Sequence, residues 1–175
     1  MKESPTTPPP DSLDRLAFLS PGRADATAVW RSPLERALAD APVGVRDISR
    51  TGKIEVRGDI GELEMERTEA IWISPRRALV LCDYAEVAAV QERLAERFLA
   101  VDVTGALAGL EVQGAALMRR LTDLDLDELP APGPIARVQA IVLRDEGETF
   151  RFFFPQEYGH YVGEVVTDLV RGLTP

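Results

Sequence analysis

The sequence predicts an α+β fold made of two related β-α-β-β-α halves, each an antiparallel sheet with helices on one face. Three observations carry that prediction. Along residues 101–129 the apolar period changes from the alternation of a strand to the spacing of a helix that opens after Gly114. A weaker copy lies upstream, where Asp47, Ser49, Glu55 and Gly58 align with Asp102, Thr104, Glu111 and Gly114 through one single-residue gap. Two turn signals, Ser74-Pro75-Arg76-Arg77 and Asp145-Glu146-Gly147, each fold one apolar run back beside another.

The order of elements follows from local chemistry. Residues 1–11 are polar and proline-rich with no large apolar group to bury, so a flexible arm is expected there, possessing neither a signal peptide nor a membrane span. A first half then spans 12–100 and a second 101–175. Leu13, Leu16, Phe18 and Leu19 suggest a short helix at 12–19. Ser32 as a cap and Pro33 in the first turn start a better one through residue 40. Residues 43–58 read as extended chain, and 60–67 fit either a frayed strand or a turn of helix. Runs at 70–73 and 78–82 have strand length, with Trp72 expected mainly as a core residue. Asp83 caps a helix over 84–99 that aligns Val87, Val90, Leu94 and Phe98.

In the second half, residues 101–104 and 110–112 are strands around a glycine-containing turn, and the next helix carries Arg119 and Arg120 on its charged side. Asp123, Asp125, Asp127 and Glu128 lack the midway glycine and closing glutamate of a calcium loop. They read as a solvated turn in which Leu124, Leu126 and Leu129 point inward. Pro130 to Pro134 reads as a stiff connector. Strands follow at 136–144 and 149–154, and a last helix at 156–173 aligns Tyr158, Val162, Val165, Val166, Leu169 and Leu173.

Composition narrows function. With 20 basic against 29 acidic residues and a net charge of −9, the chain repels a nucleic-acid backbone or an anionic membrane, because its cations are scattered among acids. One cysteine, Cys82, allows no internal disulfide and reads as a small buried hydrophobe; the cytoplasm is the default location. The single histidine, His160, has no spaced partner for zinc and reads as structural or interfacial. No nucleophile, base and orienting group can be assembled, so catalytic and metal residues are expected to be none. Trp30 and Trp72 are the candidates for facing a planar ligand.

Several segments resemble one family. Residues 44–59, GVRDISRTGKIEVRGD, resemble the aspartate-x-serine strand of the aminomethyltransferase (glycine cleavage T-protein) fold. Residues 101–133, VDVTGALAGLEVQGAALMRRLTDLDLDELPAPG, resemble its shortened relative, the gamma subunit of heterotetrameric sarcosine oxidase. Trp72-Ile73-Ser74-Pro75 with Ala78 to Leu81, and Phe150 to Phe154, are similar to further segments of that subunit, so the likeness runs from about Ser32 to Leu173. It implies T-protein-like, ferredoxin-like halves. The family's asparagine-x-aspartate-glycine-glycine segment, which carries the folate-side catalytic aspartate, is missing, because residues 137–143 run straight into 144–148. The lysine-glycine-cysteine motif of the iron-sulfur repair relatives is missing as well.

The resemblance therefore implies a non-catalytic gamma-type subunit docking on a large alpha subunit beside beta- and delta-type chains. FAD, FMN, NAD and tetrahydrofolate are expected on those partners and no cofactor on this chain. Candidate interface residues are Pro132, Pro134, Tyr158, His160 and Tyr161, with the proline-rich arm. The alternative is a freestanding folate- or pterin-binding module in which Arg137 or Glu111 contacts the ligand.

Overall fold

The structure is a computed structural model that describes residues 30–61, 63 and 68–173. The arm at 1–11, the helix expected at 12–19 and most of the ambiguous 60–67 stretch lie outside the described residues.

The strands are β1 (Val45–Asp47), β2 (Gly52–Arg57), β3 (Glu69–Ser74), β4 (Arg77–Cys82), β5 (Leu99–Asp102), β6 (Leu107–Gln113), β7 (Ala131–Ile135), β8 (Val138–Arg144) and β9 (Thr149–Pro155); the helices are α1 (Val87–Ala95), α2 (Ala115–Leu121) and α3 (Gly159–Leu173). They build two sheets, one of order β1-β6-β9-β8-β7 and one of order β3-β4-β2-β5. Every pairing is antiparallel. The expected α+β class is the observed one.

Strand alternation decides which side of each sheet is covered. In β9, Phe150, Phe152 and Phe154 project from one face into a core shared with Met118 of α2 and Val162 and Val166 of α3, while Phe153 projects from the other. Each of these phenyl rings is at most 1% exposed, worth about 1.5–3 kcal/mol of apolar burial apiece. The second sheet likewise lays Ile54, Val56, Ala78 and Val80 against Val87, Val90 and Leu94 of α1. The remaining faces meet each other through Ile71, Leu79 and Leu81 on one side and Leu143 and Phe153 on the other. The layers thus run helix, sheet, sheet, helix.

The two halves of the sequence exchange strands. β1 pairs with β6, so Asp47 faces Leu110, while β5 pairs with β2, so Asp102 faces Ile54. The chain crosses between sheets at residues 48–51 and again at 103–106.

Several local expectations change. Residues 33–40 form turns, with a single helical hydrogen bond from Leu38 N to Leu34 O (2.9 Å). Ser32 Oγ does accept from Leu34 N (3.1 Å), but it also donates to Asp47, which ties it to the crossover. The expected stiff connector 130–134 is largely strand β7. Its prolines are tolerated because β7 is a sheet edge, where an N–H facing outward has no ladder partner to lose. Ala136 and Arg137, with φ of 47° and 69°, make the tight turn into β8 and delay its start to Val138. The helix expected at 84–99 is shorter, since a 3-10 turn occupies Tyr84–Glu86 and Leu99 already belongs to β5. The last helix likewise begins with a 3-10 turn, Gln156–Tyr158, leaving Tyr158 45% exposed. Trp72 is 45% exposed, on the opposite face of β3 from Ile71, which is buried between the sheets.

Candidate functional site

The repeated motif builds the centre of the molecule. Asp47 Oδ1 accepts from Ser49 N (2.8 Å), and Asp102 Oδ1 accepts from Thr104 N (2.8 Å). Ser49 Oγ then accepts from Gly109 N (3.1 Å) on β6, while Thr104 Oγ1 accepts from Lys53 N (2.9 Å) on β2. Ile48 N donates to Gly109 O and Val103 N to Lys53 O, both at 2.9 Å. The two crossovers are therefore related by an approximate twofold, and Lys53 stands where Gly109 stands in the other half. Gly58 and Gly114 end the two copies with φ of 140° and 105°, a backbone that an L side chain rarely adopts.

Lys53 breaks the symmetry. Its side chain is fully buried; Nζ donates to Ser49 O and Thr51 O, both at 2.7 Å, and lies 5.6 Å from the centroid of the Phe153 ring. Burial lowers its pKa to about 8, even though the charges of Asp102 and Asp47 act to raise it. The sequence carries a signal that the element-by-element reading passes over: Lys2 and Lys53 are the only lysines among 20 basic residues, and Lys53 sits inside a strand.

Beside this centre the sheets diverge into a cleft of about 520 Å³. Leu79, Val103, Leu107, Ile141 and Phe153 form its apolar floor, and Glu55, Arg77, Gln139 and Glu157 supply polar groups. Glu55 accepts from Arg57 Nε (2.5 Å) and Arg77 Nη2 (2.6 Å). Burial pushes the Glu55 carboxyl up, but the hydrogen bonds and charges of Arg77 and Arg57 outweigh it and hold it below its usual range. The cleft has the size and lining of a small-molecule or side-chain pocket.

The residues singled out from the sequence are distributed around this feature. Pro132 lines the cleft, and Pro134, also exposed, follows on the same face of β7. Tyr158 comes directly after Glu157 of the cleft wall. Tyr161 donates to Ala136 O (3.1 Å) in the β7–β8 turn, and His160 Nε2 lies 3.3 Å from Glu164 Oε1 one helical turn away. Neither proposed folate contact reaches the cleft: Arg137 is an exposed turn residue, and Glu111 is engaged by Arg46, with Nε to Oε1 at 3.0 Å. Trp30 is 39% exposed, and Trp72 is not among the cleft residues. Cys82 is buried as expected; burial pushes its thiol up, and Glu86, Asp102 and Asp83 add to that. In the acidic turn, Asp127 takes a 2.7 Å bond from Arg144 while Leu126 is buried, with Leu124 and Leu129 packed beside it. Among the described residues no three His, Cys, Asp or Glu side chains converge as metal ligands, and no helix is long and apolar enough to cross a membrane.

A chain of the heterotetrameric sarcosine oxidase from Corynebacterium sp. U-96, solved with pyrrole 2-carboxylate, superposes with a TM-score of 0.70 over 85% of this chain and 98% of its own, at 14% identity. The two chains share a fold. Aminomethyltransferase T of the glycine cleavage system from Bartonella henselae superposes with a TM-score of 0.53 at 16% identity, over 88% of this chain. This chain spans only 55% of that enzyme's length. No protein-family model matches the sequence, and no curated protein sequence matches it significantly.

Proposed function

We propose that this chain is a non-catalytic, gamma-type subunit of a cytoplasmic flavin-dependent complex that oxidises N-methyl amines or N-methyl amino acids. It docks on a large alpha-type subunit in company with beta- and delta-type chains. FAD, FMN, NAD and tetrahydrofolate belong to those partners. The observation that carries this reading is the extent of the likeness: a whole small chain of a heterotetrameric sarcosine oxidase is matched over 98% of its length, against 55% for the aminomethyltransferase. A surface role also suits exposed apolar residues such as Leu99 (61%) and Val101 (46%). The test is gentle affinity purification of the full chain from its source cell. Recovery of larger chains with flavin absorbance supports the reading, and a colourless single species overturns it.

A second reading, a freestanding folate- or pterin-binding module, draws on the cleft, where Arg77 stands beside an apolar floor able to hold a planar ring. Titration of the isolated chain with tetrahydrofolate tests it, and the absence of saturable binding refutes it.

A further inference from the structure

We propose that the cleft between the diverging sheets is the docking site for an amphipathic helix of the large flavin-bearing partner; this deepens the subunit reading and rests on it. The cleft's apolar lining continues onto open surface. Leu99, Val101 and Val103 lie on one face of β5 and its extension; Val103 lines the cleft, while Leu99 and Val101 stand out beside it at 61% and 46% exposure. A small molecule held within about 520 Å³ leaves that outer row wet, whereas a protein element seated in the cleft covers both.

Two of the flanking edges, β5 and β7, bear on the form of the partner element. On β5, Ala100 O already accepts from Gln91 Nε2 of α1 (3.2 Å). On β7, Pro132 and Pro134 have no N–H to offer. β7 thus offers no N–H at these two positions and β5 is occupied at one carbonyl, which favours over an added strand an occupant that binds through side chains and brings its own backbone hydrogen bonds. A helix does so, with three or so apolar side chains one turn apart reaching the floor formed by Leu79, Ile141 and Phe153. Charge sets its orientation. On the β2–β4 wall two guanidiniums, Arg57 and Arg77, share the one carboxylate of Glu55, a local positive excess on a chain of net charge −9. The opposite wall presents Glu157 and Gln139. The helix therefore carries a carboxylate on the flank facing Arg57 and Arg77, and a cation or donor on the flank facing Glu157.

The experiment purifies the tagged full chain from its source cell as wild type, Val101→Asp and Arg77→Glu. Flavin absorbance and the larger chains are quantified, and backbone hydrogen exchange is compared between the isolated and the complexed chain. Val101→Asp is expected to retain wild-type thermal unfolding to within a few degrees, since Val101 is half exposed, whereas Arg77→Glu also breaks the bond to Glu55 and is expected to lose more while remaining folded at the purification temperature. Both are expected to lose at least tenfold of the recovered flavin, and residues 99–107 and 132–141 become protected in the wild-type complex. Recovery of the flavoprotein by both variants at wild-type yield, or protection elsewhere with none at the cleft, overturns the docking site and leaves the subunit reading standing. Failure of the wild type to recover any flavin-bearing chain overturns the subunit reading and the docking site with it. A small molecule retained by the isolated chain and released by Val101→Asp, or a homodimer broken by that change, assigns the cleft to another occupant and likewise overturns the proposal.

Discussion

Lys53→Met is the sharpest test of the central packing. In the unfolded chain a lysine titrates near 10.5, whereas in the folded protein burial brings Lys53 to about 8. Between these values the unfolded chain holds a proton that the folded one has released, so stability rises with pH across that window and is flat below it. About 2.5 pH units at 1.36 kcal/mol per unit make the gain roughly 3 kcal/mol. Other groups titrate there too, among them Cys82, whose raised pKa works in the opposite sense. The quantity to measure is therefore the difference between wild type and Lys53→Met, in which shared contributions cancel. Urea unfolding at pH 7, 8, 9 and 10.5 gives it, with the slopes checked for constancy. The expected result is a difference that moves in favour of wild type by about 3 kcal/mol between pH 7 and 10.5. The variant also loses the bonds to Ser49 O and Thr51 O, a cost set against relief of a buried charge at pH 7, so the test lies in the slope. A flat difference refutes a buried, depressed lysine at the crossover.

Three further outcomes follow from the same geometry. Gly109→Ala places a methyl 2.8 Å from the Phe153 ring and 3.1 Å from Ile48, and is expected to lower stability by about 1–3 kcal/mol, while Gly105→Ala, with nothing within 4 Å, stays close to wild type in the same thermal scan. Ser49→Ala and Thr104→Val each strand a buried N–H, that of Gly109 or Lys53, at a cost of about 1–3 kcal/mol by denaturant unfolding; a marked inequality between them would contradict the twofold relation of the crossovers. Arg151→Met removes a guanidinium that bonds Asp145 (2.6 Å) and reaches Glu69 of the other sheet (2.9 Å), and its destabilisation, of order 1 kcal/mol, should shrink as salt is raised.

Much of the fold was legible because periodicity reports burial directly. Phe150, Phe152 and Phe154 alternate with Arg151 and Phe153, and the strand that results buries the first three against helices as the pattern requires. The internal copy was legible as well, down to its one-residue gap, because Asp47 and Asp102 each hold the same turn. Residues 33–40 misled: Ser32 and Pro33 are sound helix-start chemistry, but Ser32 also bonds Asp47 across the chain, and the segment keeps only one helical bond. At β7, prolines argued against a strand, yet a sheet edge removes the objection, and edge position is a tertiary fact. The cleft was illegible for the same reason, since its walls come from segments as distant as Glu55 and Glu157.

The strand exchange explains why the central site is asymmetric although the motif is not. Each crossover delivers one residue to the contact between the sheets, Lys53 from one copy and Gly109 from the other. On the Gly109 side the missing side chain lets Phe153 close directly over the backbone, since even a methyl would meet its ring at 2.8 Å. On the other side the Lys53 ammonium lies 5.6 Å from the centroid of the same ring and donates to the carbonyls of Ser49 and Thr51. The sheets meet at that point, and the cleft that Leu79, Ile141 and Phe153 line includes the same Phe153. A buried charge costs stability that an apolar residue would not. Lys53 therefore stands where a buried charge weakens the core, on a chain whose other basic residues are arginine except for Lys2, and the pH slope of the difference between wild type and Lys53→Met measures that cost.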